Sequence, residues 1–208
     1  MAAMASRVLW SGPMSAPKRR ATYEDLMQVP DNLVAEIIDG ELFTSPRPAT
    51  PHAWAATVLA QDLGPLNGRG GGASRPGGWW ILFEPELHFD EDVLVPDLAA
   101  WRHERMGALP QTNFVTLAPD WVCEVISPST GRLDRSRKMN VYAREGVRHL
   151  WFLDPLAHTL ETYRLESGRW MVATTHGGTE TVHAEPFDAI AITLERWWPN
   201  QPTRETGL

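Results

Sequence analysis

The sequence predicts an α/β fold with a mixed β-sheet, flanking helices and additional β-hairpins. The stretch Trp121–Asp154 combines the apolar run WVCEVI, a helical pattern and a second apolar run, VRHLWFLD, which Pro155 follows. Strand, helix and strand at this spacing are typical of a βαβ unit. Two turn signals add hairpins. Asp39-Gly40 separates two β-prone arms and favours a tight turn, and Ser167-Gly168 interrupts a later run in the same way.

The remaining segments predict further elements in chain order. ATYEDLMQVP is typical of a short helix, with Thr22 as N-cap and Asp25 three residues later, and PHAWAATVLAQDLGPL indicates a second helix. WWILFEPELHF predicts one or two strands interrupted at Pro85. VLVPDLAAW predicts one further strand, which Pro96 places at a sheet edge or distorts locally, because proline lacks a ladder donor. After residue 155 we expect a hairpin, a strand or two and a short closing helix.

The chain of 208 residues has room for one domain. We expect that domain at residues 21–200, with a flexible leader at 1–20 and a tail at 201–208. No apolar run approaches the ~18 residues that span a bilayer, so we expect no membrane segment. The N-terminus lacks a secretory pattern, and the single Cys123 forms no internal disulfide. Cytoplasmic localisation is therefore the default expectation.

Charge is unevenly distributed along the chain. The formal net charge of −7 argues against a non-specific nucleic-acid coat. Between Ser129 and His149, however, six basic residues outnumber two acidic ones, and between Glu84 and Asp97 there are six acidic residues and no lysine or arginine. Each cluster is either a solvated face or a functional one. If both are functional, the basic cluster is a helix that attracts phosphate, and it faces the acidic cluster, which attracts cations.

Three residues predict chemistry. Asp97 follows a proline, Glu124 lies inside an apolar strand, and Lys138 lies on the helix that follows. A buried carboxylate is costly unless it is paired or bound to a metal. Two carboxylates on neighbouring strands can share a divalent ion, and a lysine can orient a water molecule and stabilise negative charge. The alternatives are a turn cap at Asp97, an arginine pair at Glu124, and an ordinary helical ion pair of Lys138 with Asp134.

The motifs resemble those of the Uma-two family, part of the PD-(D/E)XK nuclease-like superfamily. The resemblance lies in VPD, CEVISPST, D-x3-K-x3-Y-x3-GV and HLWFLDP, in that order, and in AEIIDGEL with His52 downstream. It covers roughly Thr22 to Ala173. It implies a restriction-endonuclease-like core, with Asp97 and Glu124 as ligands of Mg²⁺ or, alternatively, Mn²⁺.

One superfamily feature is missing. The lysine usually lies two residues after the acidic strand residue, where this chain has Ile126. Lys138 therefore resembles a relocated catalytic lysine. Glu36 matches the acidic residue of the family's first hairpin and is expected to be an additional catalytic group. We expect substrate contacts from three further residues: His52, Arg135 and Arg137.

The resemblance implies a metal-dependent DNA endonuclease that acts as a homodimer. Two alternatives remain open. One is a nuclease-fold binding module without catalysis, in which Lys138 lies far from the two carboxylates. The other is a homodimeric scaffold that uses exposed tryptophans and the late hairpins as an interface. Asp134 and Tyr142 are interpreted as structural residues.

Overall fold

The computed structural model describes residues 19–68 and 77–199. The predicted leader, apart from Arg19 and Arg20, and the predicted tail at 201–208 lie outside these residues. The helical segments are α1 (Tyr23–Leu26), α2 (Thr50–Asp62), α3 (Gly131–Leu133) and α4 (Met139–Arg144), a π-helical turn at Asp134–Lys138, and 3₁₀ turns at Gly64–Leu66 and Leu194–Trp197. None of the helices within the described ranges has the length and apolar character needed to cross a membrane.

The described strands form two larger sheets and one small one. The five-stranded sheet has the order β2 (Glu41–Pro46), β1 (Leu33–Ile38), β5 (Asp92–Leu94), β4 (Glu86–Phe89) and β7 (Phe114–Val115). The six-stranded sheet has the order β11 (Arg169–Gly177), β10 (Thr159–Glu166), β9 (His149–Asp154), β8 (Trp121–Val125), β6 (Leu98–Arg102) and β3 (Trp79–Phe83). The last pair is β12 (Thr181–Val182) and β13 (Ile192–Thr193).

Both sheets are mixed, which confirms the predicted fold class. In the six-stranded sheet β8 runs parallel to β9 and antiparallel to β6. The five-stranded sheet contains the parallel pair β4 and β7. The parallel β8–β9 pair is joined by the helical segment at residues 131–144, so the predicted βαβ unit is confirmed. We call this helical segment the crossover helix.

Local sequence signals explain several of these elements. Thr22 accepts from the backbone N–H of Asp25 while the Asp25 carboxylate accepts from the backbone N–H of Thr22, which is the capping box predicted for α1. The β1–β2 hairpin turns at Asp39 (φ 54°) and Gly40 (φ 77°). Both residues have the positive φ values that a type I′ turn requires.

The segment VLVPDLAAW differs from the prediction. It forms two strands in different sheets, since β5 pairs with β1 and β4, whereas β6 pairs with β3 and β8. The residues Val95–Asp97 cross from one sheet to the other. Asp97 therefore lies immediately before β6 and not inside a strand. Pro96 has no N–H to donate, which suits a position between two ladders.

Two large clusters of buried side chains hold the layers together. One contains Trp121, Trp151 and Trp197, all fully buried, and packs α2 against the six-stranded sheet. The other includes Trp101 and packs the crossover helix between the sheets. Most tryptophans are therefore core residues. Trp54 is the exception among the described residues, with 48% of its surface exposed.

Candidate active site

A cleft of about 260 Å³ opens between the two larger sheets, beside the crossover helix. Its ionisable lining residues come from both sheets, from the Val95–Asp97 crossing and from two helices. The carboxylates are Glu36, Glu84, Asp97, Glu124 and Asp134, and the basic groups are Arg47, His52 and Lys138. The structure thus brings five of the seven predicted site residues together, namely Glu36, His52, Asp97, Glu124 and Lys138.

Asp97 is held by contacts on both of its carboxylate oxygens. Oδ2 accepts a hydrogen bond of 2.7 Å from the backbone N–H of Val125, at the end of β8. Oδ1 lies 3.3 Å from His52 Nε2 on α2. The first contact joins the start of β6 to the end of β8, so it fixes Asp97 beside Glu124 in the neighbouring strand.

Glu124 and Lys138 form a buried ion pair. Lys138 Nζ lies 2.8 Å from Glu124 Oε1, and each residue is only 3% exposed. Tyr142 donates a hydrogen bond of 2.5 Å to the same oxygen. Lys138 and Tyr142 are four residues apart, so they lie on one face of the crossover helix. The predicted relocated lysine therefore does reach the acidic strand residue.

Two more carboxylates surround the Lys138 ammonium. Glu36 Oε1 lies 2.9 Å from Nζ and also accepts from the backbone N–H of Val95. Asp134 Oδ1 lies 3.6 Å away, across the π-helical turn that begins at Asp134 and ends at Lys138. π-Turns inside helices are rare and are frequent at functional sites. Both end residues of this turn are buried.

Burial and neighbouring charges shift the ionisation of this cluster. Burial raises the pKa of Glu124 well above its usual value, and the Lys138 charge only partly opposes this. Burial lowers the pKa of Lys138, but the charges of Glu124 and Glu36 outweigh it, so the net pKa lies well above that of an ordinary lysine. Burial likewise raises the pKa of Asp134. Lys138 therefore stays protonated at neutral pH.

His52 and Glu84 flank Asp97. Burial lowers the pKa of His52, but the hydrogen bond to Asp97 and the Asp97 charge outweigh burial and raise it overall. Burial, then the Asp97 charge, raises the pKa of Glu84. Glu84 also has a positive φ of 43°, which is uncommon for a residue other than glycine and often accompanies functional sites.

Comparison with known proteins assigns the family. The model of the Uma2 family, described as "Putative restriction endonuclease", matches residues 21–195. The chain belongs to the Uma2 family. This confirms the family resemblance of the sequence motifs. No curated protein matches the chain.

A solved structure has the same fold as this Uma2 chain. It is the crystal structure of a "putative nuclease belonging to DUF820" from Anabaena variabilis ATCC 29413. The two share 17% sequence identity and a TM-score of 0.68, over 86% of this chain and 97% of the other. At this level of identity the similarity establishes the fold, which confirms the predicted α/β class.

The donor chemistry of the cleft fits a hard divalent cation. Asp97 and Glu124 offer carboxylate oxygens, which Mg²⁺ prefers, and Glu36, Glu84 and Asp134 add further carboxyl groups to the cleft. Within residues 19–68 and 77–199, no group of three or more His, Cys, Asp or Glu side chains is arranged to hold a metal alone. An ion here would therefore keep several waters, as Mg²⁺ commonly does.

Two of the predicted substrate-binding residues of this Uma2 chain, Arg135 and Arg137, do not line the cleft. Arg135 donates to both carboxylate oxygens of Glu161, at 2.8 and 2.7 Å, and lies over the ring of Phe152. Arg137 lies 2.8 Å from Glu41 Oε2 and over the ring of Phe43. Both guanidinium groups are engaged within the protein, so their role at a substrate stays a prediction.

Sequence reasoning missed the positions of two residues in and beside the cleft. The sequence favours a structural role for Tyr142, yet its hydroxyl donates directly to Glu124. Its spacing of four residues from Lys138 was a signal for this. For Glu84 the sequence offers only its membership of the acidic Glu84–Asp97 segment, because it reaches the cleft through the antiparallel pairing of β3 with β6, in which Phe83 lies opposite Leu98.

Proposed function

We propose that this chain is a metal-dependent endonuclease that hydrolyses phosphodiester bonds of DNA. The observation that carries the proposal is the position of Lys138 Nζ, 2.8 Å from Glu124 in the cleft that also contains Asp97. The usual lysine position holds Ile126, and the crossover helix supplies an ammonium group beside Glu124 instead. Two carboxylates, a lysine and room for a solvated cation form a set suited to phosphodiester hydrolysis.

Each residue has a role in this proposal. Asp97 and Glu124 would hold the divalent ion, Mg²⁺ or Mn²⁺. Such an ion polarises a phosphoryl oxygen and lowers the pKa of a bound water. His52 and the backbone of Val125 keep the Asp97 carboxylate in place. Glu36 holds the Lys138 ammonium from the side of the five-stranded sheet.

Lys138 supplies positive charge rather than a base. Its raised pKa keeps it protonated at neutral pH, so it donates hydrogen bonds to the attacking water or to a phosphate oxygen. In the reaction, the water oxygen bonds to phosphorus and one phosphorus–oxygen ester bond breaks. The proton of the water ends on the departing oxygen. The extra charge of the phosphoryl group in the transition state is stabilised by Lys138.

The experiment combines metal binding with cleavage. We expect calorimetry to detect Mg²⁺ binding by the wild type and not by Glu124→Ala. We expect Asp97→Asn to abolish cleavage of single- and double-stranded DNA while circular dichroism stays unchanged. Asp188→Asn is the matched control, because Asp188 is exposed and lines neither the cleft nor the cavity next to it. Unchanged cleavage by purified Asp97→Asn would falsify the assignment.

A second candidate is a nuclease-fold binding or homodimeric scaffold protein without catalysis. The engagement of Arg135 and Arg137 by glutamates favours it, because these arginines then contribute little to nucleic-acid binding. The distance of 2.8 Å between Lys138 Nζ and Glu124 Oε1 disfavours it, because the non-catalytic alternative predicts a lysine far from the two carboxylates. Absence of metal binding by the wild type, even with a short DNA added, would support this candidate.

A further inference from the structure

A second cavity continues the cleft along the crossover helix. Its volume is about 370 Å³, and it shares four lining residues with the cleft: Glu36, Ser45, Ser129 and Thr130. It runs between β2 and the beginning of the crossover helix. The cleft and this cavity therefore form one continuous groove, which we call the β2 groove.

The basic residues of the β2 groove differ in their engagement. Arg137 is held by Glu41 and by the ring of Phe43. Arg132 is exposed, and within residues 19–68 and 77–199 its guanidinium has no ion pair or hydrogen bond. Arg132 is therefore the arginine of the cavity with donors available for a ligand.

Hydroxyl groups accompany Arg132. Ser129 and Thr130 lie on the same wall, where both contact the Ser127 hydroxyl at 2.9 Å. Thr44 and Ser45 of β2 line the groove as well. A guanidinium with nearby hydroxyls is a typical environment for a phosphate, since its N–H groups match two phosphate oxygens at once.

The spacing along the helix suits a nucleic-acid strand. Arg132 and Lys138 are six positions apart, which corresponds to ~9 Å of helix. A strand of duplex DNA carries one phosphate per ~3.4 Å of axial rise. With the scissile phosphate beside Lys138, the region of Arg132 lies two or three nucleotides away.

We propose that Arg132, together with Ser129 and Thr130, binds a non-scissile phosphate of the substrate strand in the β2 groove. This inference rests on the proposed nuclease function and adds the path of the strand. It also gives a chain with a net charge of −7 a specific cationic contact to its polyanionic substrate.

Binding experiments test the contact through its salt dependence. The full-length chain is titrated with a fluorescein-labelled oligonucleotide, single-stranded or duplex, at several NaCl concentrations. The variants are Arg132→Ala, Arg132→Lys and the control Arg169→Ala, an exposed arginine at the start of β11. We expect Arg132→Ala to weaken binding about tenfold at low salt. Its slope of log K against log [NaCl] should fall by about 0.9 for duplex or about 0.7 for single strands.

The controls separate this contact from general charge and from the proposed function. Arg132→Lys should keep the wild-type slope with part of the affinity lost, and Arg169→Ala should match the wild type. An unchanged slope for Arg132→Ala, with a wild type that binds and cleaves DNA, overturns the phosphate contact alone. A wild type that neither binds nor cleaves DNA overturns the proposed function and this inference with it.

Steady-state cleavage gives a second readout. A contact to a non-reacting phosphate contributes to binding, so Arg132→Ala should raise KM about tenfold while kcat stays within about twofold. A fall in kcat with KM unchanged would show that Arg132 acts on the reacting phosphate, which overturns the proposed position. Because the side chain is exposed, the thermal midpoint should not change.

Discussion

The Lys138 ammonium lies 2.8 Å from Glu124 Oε1, although the lysine comes from the crossover helix and the glutamate from β8. Glu36 approaches the same ammonium from the other sheet at 2.9 Å. One cation therefore links the two larger sheets and the crossover helix. The positive charge of Lys138, which the proposed reaction needs, is also the counter-charge of the buried Glu124 and Glu36.

The first prediction concerns the stability of this cluster. Lys138→Met should lower the free energy of unfolding by about 3–5 kcal/mol, because it leaves Glu124 and Glu36 buried without a counter-charge. Urea denaturation at neutral pH measures the effect. The double variant Lys138→Met/Glu124→Gln should recover part of the loss, since it removes a buried charge as well. Equal midpoints for wild type and Lys138→Met would contradict this view of the ion pair.

The sequence predicted the βαβ unit, both hairpins and the α1 capping box, because each depends on local patterns. It did not predict that VLVPDLAAW divides between two sheets. Strand partners come from distant segments: Ile37 pairs with Val93, and Leu98 pairs with Cys123. Since both halves of the segment are equally apolar, nothing local shows where one sheet ends and the other begins.

For the site, the sequence identified the residues but not all of their contacts. The motif order singled out Asp97, Glu124 and Lys138, which the structure brings into one cleft. The reach of Lys138 depends on a π-helical turn that helical periodicity does not reveal. Charge counting suggested Arg135 and Arg137 as substrate contacts, but it could not show that Glu161 and Glu41 pair with them.

The second prediction concerns the hydroxyl of Tyr142. Its hydrogen bond favours the ionised form of Glu124, so Tyr142→Phe should raise the Mg²⁺ concentration for half-maximal cleavage about tenfold, with kcat largely restored at saturating Mg²⁺. The unfolding free energy should fall by about 2 kcal/mol. Tyr163→Phe is the matched control, because its hydroxyl donates to Glu161 outside the cleft. The same metal requirement in both variants would refute a positioning role for Tyr142.

The third prediction concerns pH and His149 on β9. Burial lowers the pKa of His149; the charges of Glu185 and Asp120 partly oppose this, and those of Arg102 and Arg164 lower the pKa further. The unfolded chain therefore takes up a proton at about pH 6.5, before the folded chain does. Stability should be fully present above that pH and decrease as the pH falls toward the lower folded-state pKa.

Urea midpoints between about pH 7.5 and 5.5 measure this effect. His149→Gln removes the titrating imidazole and should flatten the decrease. Circular dichroism at pH 7.5 serves as the control that the variant is folded. If the wild type and His149→Gln lose stability in parallel, another group is responsible for the acid sensitivity.

The fourth prediction concerns the close approach of Gly131 to Ile126 at the beginning of the crossover helix. A Cβ at position 131 would lie 2.9 Å from Ile126 Cγ2, so Gly131→Ala should push the helix away from the end of β8. Overpacking typically costs about 1–3 kcal/mol, and a gain of up to ~1 kcal/mol in helix propensity offsets part of it. Because the same helix carries Lys138, cleavage should fall about tenfold.

Matched variants separate this contact from a general effect of added methyl groups. Gly131→Ala/Ile126→Leu deletes the γ2 methyl while keeping the side-chain volume, so it should restore both stability and cleavage. Gly64→Ala adds a methyl group where nothing lies within 4 Å and should leave cleavage unchanged. Full activity of Gly131→Ala would show that the helix tolerates displacement at its beginning. Gly131 has no side chain and lines neither the cleft nor the second cavity. A loss of activity in Gly131→Ala would therefore reflect a changed position of Lys138 relative to Glu124.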